Sequence, residues 1–240
     1  MKLLYLMPGN VELGLGFEEM ERRRDILQKY AAQGTAVFID YVKSGPVSIE
    51  SDYEELLGSV EVVHKIIEAE KQGFDGVIIG CYCDPAVEAA REMVSIPVIG
   101  PGSASLYMAS MLSHRFSIIT ITESILRNLD TLVVKSGIDR KVASIRATNV
   151  QVLDIKRDPD VANRRVLEEA TLARDQDGAD CIVLGCMSIA FTETNFAMAE
   201  TLGIPVVNPA IASLKLLEAT IACGLSHSKK AFQIPPKYKG

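Results

Sequence analysis

Residues 73–81 read Gly-Phe-Asp-Gly-Val-Ile-Ile-Gly-Cys, and residues 178–186 read Gly-Ala-Asp-Cys-Ile-Val-Leu-Gly-Cys. Both stretches keep the spacing Gly-x-Asp-x4-Gly-Cys, with an offset of 105 residues between position 73 and position 178. A second pair follows, with Ser-Ile-Pro-Val at 95–98 and Gly-Ile-Pro-Val at 203–206. The repeat predicts two similar halves, each of which places one cysteine at the end of a buried strand.

Short apolar runs alternate with amphipathic segments along the whole chain. Apolar residues recur at helical spacing near 51–72, within 123–136 and in a last helix at 210–225. This alternation predicts an α/β fold of two pseudo-symmetric lobes, each a mostly parallel sheet with helices on both faces and the active site in the cleft between them. The predicted strands are 2–7, 36–42, 75–80, 97–100, 115–121, 142–147, 181–185 and 205–208.

The repeat also divides the chain into two parts. We expect a first α/β lobe of residues 1–100 plus 208–240 and a second of residues 101–207, because the second half already has its full set of elements before the last helix. No low-complexity linker separates the halves, so we expect them to pack tightly. The proline-containing tail, 233–240, is expected to be an extended surface arm.

Composition excludes several classes of protein. Of 240 residues, 48% are apolar, which is enough for a sizeable core, and the net charge of −6 argues against a nucleic-acid binder. The mixed charge run at 21–24 is too short to be an interaction tail. The apolar N-terminus is too short for a signal sequence, and no stretch is long enough to span a membrane. We therefore expect a cytoplasmic protein.

The cysteines follow no disulfide or metal pattern. An odd number of thiols in a large chain argues against a secreted disulfide framework, and the absence of CxxC spacing argues against zinc. We expect Cys181, in mid-strand, and Cys223, in the last helix, to be buried and inert, and we leave the role of Cys83 open. The five cysteines are Cys81, Cys83, Cys181, Cys186 and Cys223.

Cys81 and Cys186 are the candidate catalytic residues. Ligands of parallel sheets bind beyond the carboxyl ends of the strands, where both cysteines fall, each after a glycine that permits an unusual turn. Helix starts are predicted after both, with Asp84 and Ser188 as N-caps, and backbone amides there stabilise anions. Two thiols that face each other suit the removal of a proton from one side of a carbon and its return to the other, without cofactor or metal.

These motifs resemble the aspartate/glutamate/hydantoin racemase superfamily, and its hydantoin racemase branch in particular. Residues 73–85 are similar to that branch's first cysteine motif, including the Asp-Pro that follows the cysteine. Residues 178–187 are similar to the second cysteine motif, and residues 114–120 are similar to the strand that opens the second lobe. The resemblance implies a cofactor-independent two-base racemase of hydantoins or of the ureide allantoin. It also implies two pseudo-symmetric lobes and a homo-oligomer.

The chain departs from the family pattern at several places. The first strand ends in Met-Pro-Gly-Asn at 7–10 instead of an Asn-Pro-Asn-Thr-like turn, and residues 120–122 read Thr-Ile-Thr instead of two adjacent threonines. Cys83 and Ala86 stand where glycines are common. Substrate identity is therefore less strongly indicated than reaction type.

The ends of the first strand of each lobe and the residues after each cysteine are expected to line the substrate pocket. Asn10 could bind a ring carbonyl or N–H, or serve only as a turn residue. The pocket segments identified here contain no basic residue, which favours a neutral cyclic amide as substrate. The candidate substrate-binding residues are Pro8, Asn10, Tyr82, Cys83, Thr120, Thr122, Met187 and Ser188.

Other functions remain open at this point. An aspartate/glutamate-type racemase, a decarboxylase or a cis–trans isomerase could use the same scaffold, although some of these need only one of the two cysteines. A two-lobed ligand-binding protein would not require paired thiols. A redox protein could use Cys81 and Cys83, but the second repeat has no matching dithiol.

Overall fold

A computed structural model describes residues 1–238; Lys239 and Gly240, the end of the predicted tail arm, lie outside the described residues. Strands and helices alternate as the sequence predicts, and short 3-10 turns lie at 123–125, 139–141 and 236–238. The strands are β1 (2–7), β2 (36–41), β3 (76–79), β4 (98–99), β5 (116–120), β6 (142–147), β7 (181–184) and β8 (206–207). The helices are α1 (17–30), α2 (52–71), α3 (87–93), α4 (101–112), α5 (126–135), α6 (152–157), α7 (159–175), α8 (187–190), α9 (195–202) and α10 (209–222).

The strands form two four-stranded sheets with equivalent orders, β2-β1-β3-β4 and β6-β5-β7-β8. Neighbouring strands are parallel in both sheets. All eight predicted strands are present, with bounds that agree to within one residue. The predicted α/β architecture of two lobes built on parallel sheets is therefore confirmed.

The residues of the repeated motif make the same contacts in both lobes. The carboxylate of Asp75 accepts the N–H of Lys2, and that of Asp180 accepts the N–H of Arg115, each at the start of the neighbouring strand. The N–H groups of Gly80 and Gly185 both donate to the central strand of their sheet at 2.7 Å. The motif thus fixes the strand that carries each cysteine against the central strand beside it.

The glycines before the cysteines provide space instead of an unusual turn. Neither Gly80 nor Gly185 has a positive φ, so that expectation was wrong. A Cβ on Gly80 would lie 2.8 Å from the ring of Tyr5, and one on Gly185 would lie 2.6 Å from the side chain of Ile118. Real Cβ atoms do not approach other atoms so closely, and any larger residue would have to displace the strand.

Alternate residues of β1 face two different cores. Leu4 and Leu6 pack into a core that the first sheet shares with α2 and α3. Leu3, Tyr5 and Met7 belong to a larger core that continues into the second lobe. The lobes therefore share buried apolar surface.

The two lobes exchange helices. α4 follows β4 of the first sheet but packs on β7 and β8 of the second, whereas α10 follows β8 but packs on β3 and β4 of the first. The two helices also pack on each other. The predicted lobe boundaries, 1–100 plus 208–240 and 101–207, stay a prediction.

The loop after Cys81 differs from the predicted helix start. Asp84 does not cap its own helix, because α3 begins only at Val87, and Asp84 and Ala86 both adopt positive φ angles of 57° and 56°. Instead, the Asp84 carboxylate accepts the N–H groups of Gly102 and Ser103 in the first turn of α4, both at 2.8 Å. A residue distant in sequence thus caps the helix that crosses to the second lobe.

We expect Asp84→Ala to lower the free energy of unfolding by about 1–2 kcal/mol, because two amides of α4 lose their acceptor. Asp84→Asn retains one acceptor oxygen, so its free energy of unfolding should lie between those of the wild type and of Asp84→Ala. Burial raises the pKa of Asp84 to about 6, so urea unfolding should be measured at pH 8, where the carboxylate is charged. Glu88→Ala, at an exposed site on α3, is the control, and an equal loss there would contradict this role for Asp84.

Candidate active site

A cavity of about 660 Å³ lies where the carboxyl ends of β1, β3, β5 and β7 meet between the two sheets. Both Cys81 and Cys186 line it, so the structure brings the two repeated cysteines to one site. Apolar side chains from both lobes form much of the wall: Met7, Val11, Leu15, Val47, Ile49, Ile121, Ile125 and Val152.

Cys186 is the N-cap residue of α8, and only 8% of its surface is exposed. Burial raises the pKa of its thiol to about 11. Hydrogen bonds from the N–H groups of Ile189 and Ser188 and the charge of Arg23 act in the opposite direction. Cys186 therefore holds its proton at neutral pH, in surroundings that also provide donors for a negative sulfur.

Cys81 has a different setting. It is half-buried, and its carbonyl accepts the N–H of Asp84 at 3.2 Å, which closes a turn instead of starting a helix. A hydrogen bond to the Cys81 sulfur and burial both raise the pKa of the Cys83 thiol, so Cys83 keeps its proton beside Cys81. The two halves of the site are thus equivalent in position but not in chemistry.

Pro8, Tyr82, Cys83 and Met187 line the cavity, as do Asn10, Thr120 and Ser188. Tyr82 and Met187 are 3% and 4% exposed, and neither N–H meets an acceptor among residues 1–238. Burial raises the pKa of the Tyr82 phenol far above its usual range. These two residues therefore offer backbone donors and neutral walls.

The polar side chains of Asn10 and Thr120 are already engaged by the protein. Asn10 donates to the carbonyl of Lys43 at 2.7 Å and accepts the N–H of Leu13 at 3.2 Å, as a loop-bracing residue does. The Thr120 hydroxyl donates to the carbonyl of Gly185 at 3.0 Å. The single hydroxyl proton of Thr120 is therefore committed to the protein, whereas the Asn10 amide uses one of its two N–H donors.

Two other sequence-based expectations need correction. Thr122 does not line the cavity, because its hydroxyl pairs with Ser124 at 2.9 Å beyond the end of β5. Ser188 does not cap a helix of 189–202, because this segment forms two helices and Cys186 occupies the N-cap position of the first. The Ser188 hydroxyl instead accepts a hydrogen bond from Arg23 at 2.8 Å.

The pocket segments identified from the sequence contain no basic residue, but a basic side chain enters the cavity from a different segment. Arg23 lines the cavity from α1, is 2% exposed and contacts Ser188 of the other lobe. The sequence did contain a signal: Glu19, four residues before, and Ile26 and Leu27, three and four residues after, are buried on the same helix face. The position of Arg23 in a charged run concealed it.

The loop between β2 and α2 was also missed. Val47, Ser48 and Ile49 cover the cavity from the first lobe. Glu50, the next residue, accepts the N–H of Val152 at 3.0 Å and so ties this loop to the start of α6 in the second lobe. The cavity is therefore closed by a cross-lobe contact.

Tyr5 lies fully buried below the cavity, with its hydroxyl 2.9 Å from the place that a Cβ on Gly80 would take. Its ring meets Phe191 edge to face, with ring centroids 5.7 Å apart. No described residue makes a hydrogen bond of normal geometry with the hydroxyl, although Arg23 is near enough to lower its pKa. Burial raises its pKa well above the usual range, and the charge of Arg23 acts in the opposite direction.

The remaining cysteines lie away from the cavity. Cys181 is fully buried in β7, as expected, and burial raises its pKa to about 12. Cys223 was expected to be buried but is exposed at the end of α10. Residues 1–238 contain no group of three or more His, Cys, Asp or Glu placed to hold a metal ion. No helix in the described part of the chain combines the length and hydropathy needed to cross a membrane.

Tyr5→Phe should raise the midpoint of thermal unfolding by about 2–4 °C, because it removes a buried hydroxyl that makes no hydrogen bond and leaves the ring in place. The measurement is thermal unfolding followed by circular dichroism. Tyr41→Phe is the matched control, since the Tyr41 hydroxyl donates to Glu12 and its removal should give no gain. A lower midpoint for Tyr5→Phe would mean that the hydroxyl makes a stabilising contact.

Comparison with known proteins agrees with this architecture. The family model of Asp/Glu/hydantoin racemases matches residues 17–217. A hydantoin racemase of Pseudomonas sp. is 38% identical over 196 residues, which cover 81% of this chain and 78% of that protein. The allantoin racemase from Klebsiella pneumoniae superposes with a TM-score of 0.89 at 29% identity, covering 98% of this chain and 94% of that chain. The allantoin racemase from Pseudomonas fluorescens gives a TM-score of 0.91 at 25% identity, covering 100% and 99%. Built from two parallel α/β lobes around a shared cavity, the chain belongs to the Asp/Glu/hydantoin racemase family.

Proposed function

We propose that this protein is a cofactor-independent racemase of 5-substituted hydantoins or of a related ureide such as allantoin. Cys81 and Cys186 exchange protons with opposite faces of one carbon. The observation that carries this proposal is that the two repeated cysteines, one from each lobe, line the same cavity. The names of the similar proteins, hydantoin racemase and allantoin racemase, support this substrate class.

The proton transfers follow from the two sulfur environments. In this scheme Cys186 begins as the thiol, because burial raises its pKa to about 11, and Cys81 is assigned the role of the base. Cys81 takes the proton from the ring carbon, and the C–H electron pair moves into the adjacent carbonyl as an enolate. Cys186 gives its proton to the opposite face of that carbon. Cys81 ends as the thiol and Cys186 as the thiolate, and reaction of the other enantiomer reverses both changes.

The enolate oxygen needs hydrogen-bond donors, since its charge develops in a cavity with apolar walls. The N–H groups of Tyr82 and Met187, next to the two cysteines, have no protein acceptor and are our candidates. Cys83, which keeps its proton, is placed to donate a hydrogen bond to the sulfur of Cys81. These groups stabilise charge without a cofactor.

An amino-acid racemase is the second candidate, because Arg23 lines the cavity. A carboxylate substrate is usually held by two parallel hydrogen bonds from a guanidinium group. Here Nε of Arg23 is bound to Glu19 at 2.9 Å and Nη2 to Ser188 at 2.8 Å. Two of the three guanidinium nitrogens are therefore engaged by the protein, and a neutral cyclic amide remains our first candidate.

We expect either Cys81→Ser or Cys186→Ser to lower the rate of racemisation by about 10²-fold or more, because each removes one of two acid/base groups. Each variant should still exchange the ring hydrogen of one enantiomer for deuterium. The assay incubates chiral 5-substituted hydantoins, allantoin, aspartate and glutamate in deuterium oxide and follows optical rotation and deuterium uptake. Full racemase activity in either variant would contradict the two-base scheme.

Cys223→Ser is the matched control, since its thiol is exposed at the end of α10 and should leave the rate unchanged. The substrate panel also separates the alternatives. Racemisation of aspartate or glutamate alone would indicate the amino-acid racemase. Binding of a hydantoin without loss of rotation or deuterium uptake would indicate a two-lobed ligand-binding protein.

The pH profile should show no alkaline decline near neutrality. Catalysis requires one proton on the cysteine pair, and that proton is lost only when the pH approaches the raised pKa of Cys186, about 11. We therefore expect kcat/KM of the wild type to stay constant or rise between pH 7 and 8.5 for either enantiomer. A decline with a midpoint below pH 8.5 would show that a different group supplies the proton.

Cytoplasmic location and assembly into a homo-oligomer, both expected from the sequence and the family resemblance, stay proposals. Size-exclusion chromatography with light scattering tests the second.

A further inference from the structure

We propose that Arg23 is a positioning residue, which holds the Cys186 loop across the lobe interface and stabilises the negative charge that the Cys186 sulfur acquires. The inference rests on the proposed function, in which Cys186 gives up its proton during turnover. It adds a residue from the opposite lobe to the machinery of that cysteine.

Arg23 is a cation in an unusual place. It lies in the middle of α1 and is 2% exposed, whereas Arg24 next to it remains partly exposed and pairs with Asp25 on the surface. Burial of a guanidinium group costs free energy unless the charge is compensated by partners. Its surroundings should therefore contain negative charge, either permanent or formed during the reaction.

The permanent compensation is incomplete. Glu19 accepts two hydrogen bonds from Arg22, at 2.7 and 2.8 Å, and one from Arg23 at 2.9 Å. One carboxylate thus serves two guanidinium groups, of which Arg22 is half exposed to solvent and also lies near Glu193. Nη2 of Arg23 donates to the neutral hydroxyl of Ser188. Arg23 therefore lines the cavity beside the cysteine loop with a carboxylate that it shares and one neutral partner.

Arg23 contacts the segment that begins with Cys186 and continues as α8. Ser188 is the second residue of α8, and its N–H is one of the two that point at Cys186. Phe191, at the end of α8, packs against the guanidinium plane, 4.9 Å from its central carbon. Arg22 adds a hydrogen bond to the Phe191 carbonyl at 2.9 Å. α1 of the first lobe therefore fixes both ends of α8.

Few other ionisable groups face Cys186. They are Cys81, after β3, and Tyr5, on β1, whose hydroxyl has no partner and can only donate to or accept from a nearby group. Lys156 on α6 is engaged with the carbonyl of Leu15 at 2.6 Å. Arg23 is thus the cation that faces the Cys186 sulfur, with Glu19 as its neighbour.

The test measures thiolate formation at Cys186 without any substrate. Iodoacetamide reacts with the thiolate, so the alkylation rate below the thiol pKa reports the thiolate fraction. Peptide-resolved mass spectrometry gives the rate at each cysteine of the intact protein at pH 8. We expect Arg23→Gln to slow alkylation of Cys186 by about tenfold or more, since an adjacent opposite charge shifts such equilibria by one to three pH units.

Two internal comparisons separate charge from structure. Alkylation of Cys81 in the same sample, through the same cavity, should change by less than about threefold. Arg24→Gln removes an arginine one position along the same helix, on its surface side, and should leave both rates unchanged. Arg23→Lys keeps the charge and should leave Cys186 within about threefold of the wild-type rate.

The proposal is overturned if iodoacetamide alkylates Cys186 of Arg23→Gln at the wild-type rate or faster. It is also overturned if the alkylation rates of Cys81 and Cys186 fall equally. Should Arg23→Gln fail to fold, Arg23→Lys decides: a near wild-type rate at Cys186 supports the role of the charge, and a loss confined to Cys186 supports the positioning role of the guanidinium. Equal slowing of Cys81 and Cys186 refutes the proposal. Because no substrate enters this experiment, its result stands apart from whether the protein racemises hydantoins.

Discussion

Each lobe depends on one close approach, between the central strand of its sheet and the residue before its cysteine. A Cβ on Gly80 would lie 2.8 Å from the ring of Tyr5, and a Cβ on Gly185 would lie 2.6 Å from Ile118. Only glycine allows the two strands to pass so closely, and any larger residue would move the cysteine that follows. The absence of these two side chains sets the position of both sulfurs, and all chemistry in the cavity depends on it.

The cavity itself exists because the lobes are interleaved. α4 and α10 each cross from the sheet that precedes them in the chain to the other sheet, and they also pack on each other. Asp84 caps α4 from the loop that follows Cys81, which couples that helix to the first cysteine. On the opposite side, Arg22 and Arg23 of the first lobe hold the ends of α8, which carries the second cysteine. Each sulfur is therefore positioned by contacts that cross between lobes or between distant segments.

Cys81 and Cys186 occupy equivalent positions in the repeat, but the groups that surround their thiols differ. Cys186 is an N-cap residue with two amides and a nearby guanidinium, whereas Cys81 lies in a turn beside a second thiol, Cys83. Ala86, in the loop after Cys81, adopts a φ of 56° that glycine would adopt without strain. This asymmetry suits a reaction in which one sulfur begins as base and the other as acid.

The sequence by itself determined the eight strands and their parallel arrangement, because strands buried on both faces leave continuous apolar runs. It also identified Cys81 and Cys186 as equivalent positions, because each ends one copy of the repeat. It could not determine that Arg23 enters the cavity, that Thr122 stays outside it, or that Asp84 caps a later helix. The run at 21–24 has the composition of a solvated surface; the spacing of Arg23 from Ile26 and Leu27 indicates its helix face, but only the packing of α1 against the second lobe buries it. Whether a charged side chain is buried depends on the surface that covers it, and that surface belongs to residues distant in the chain.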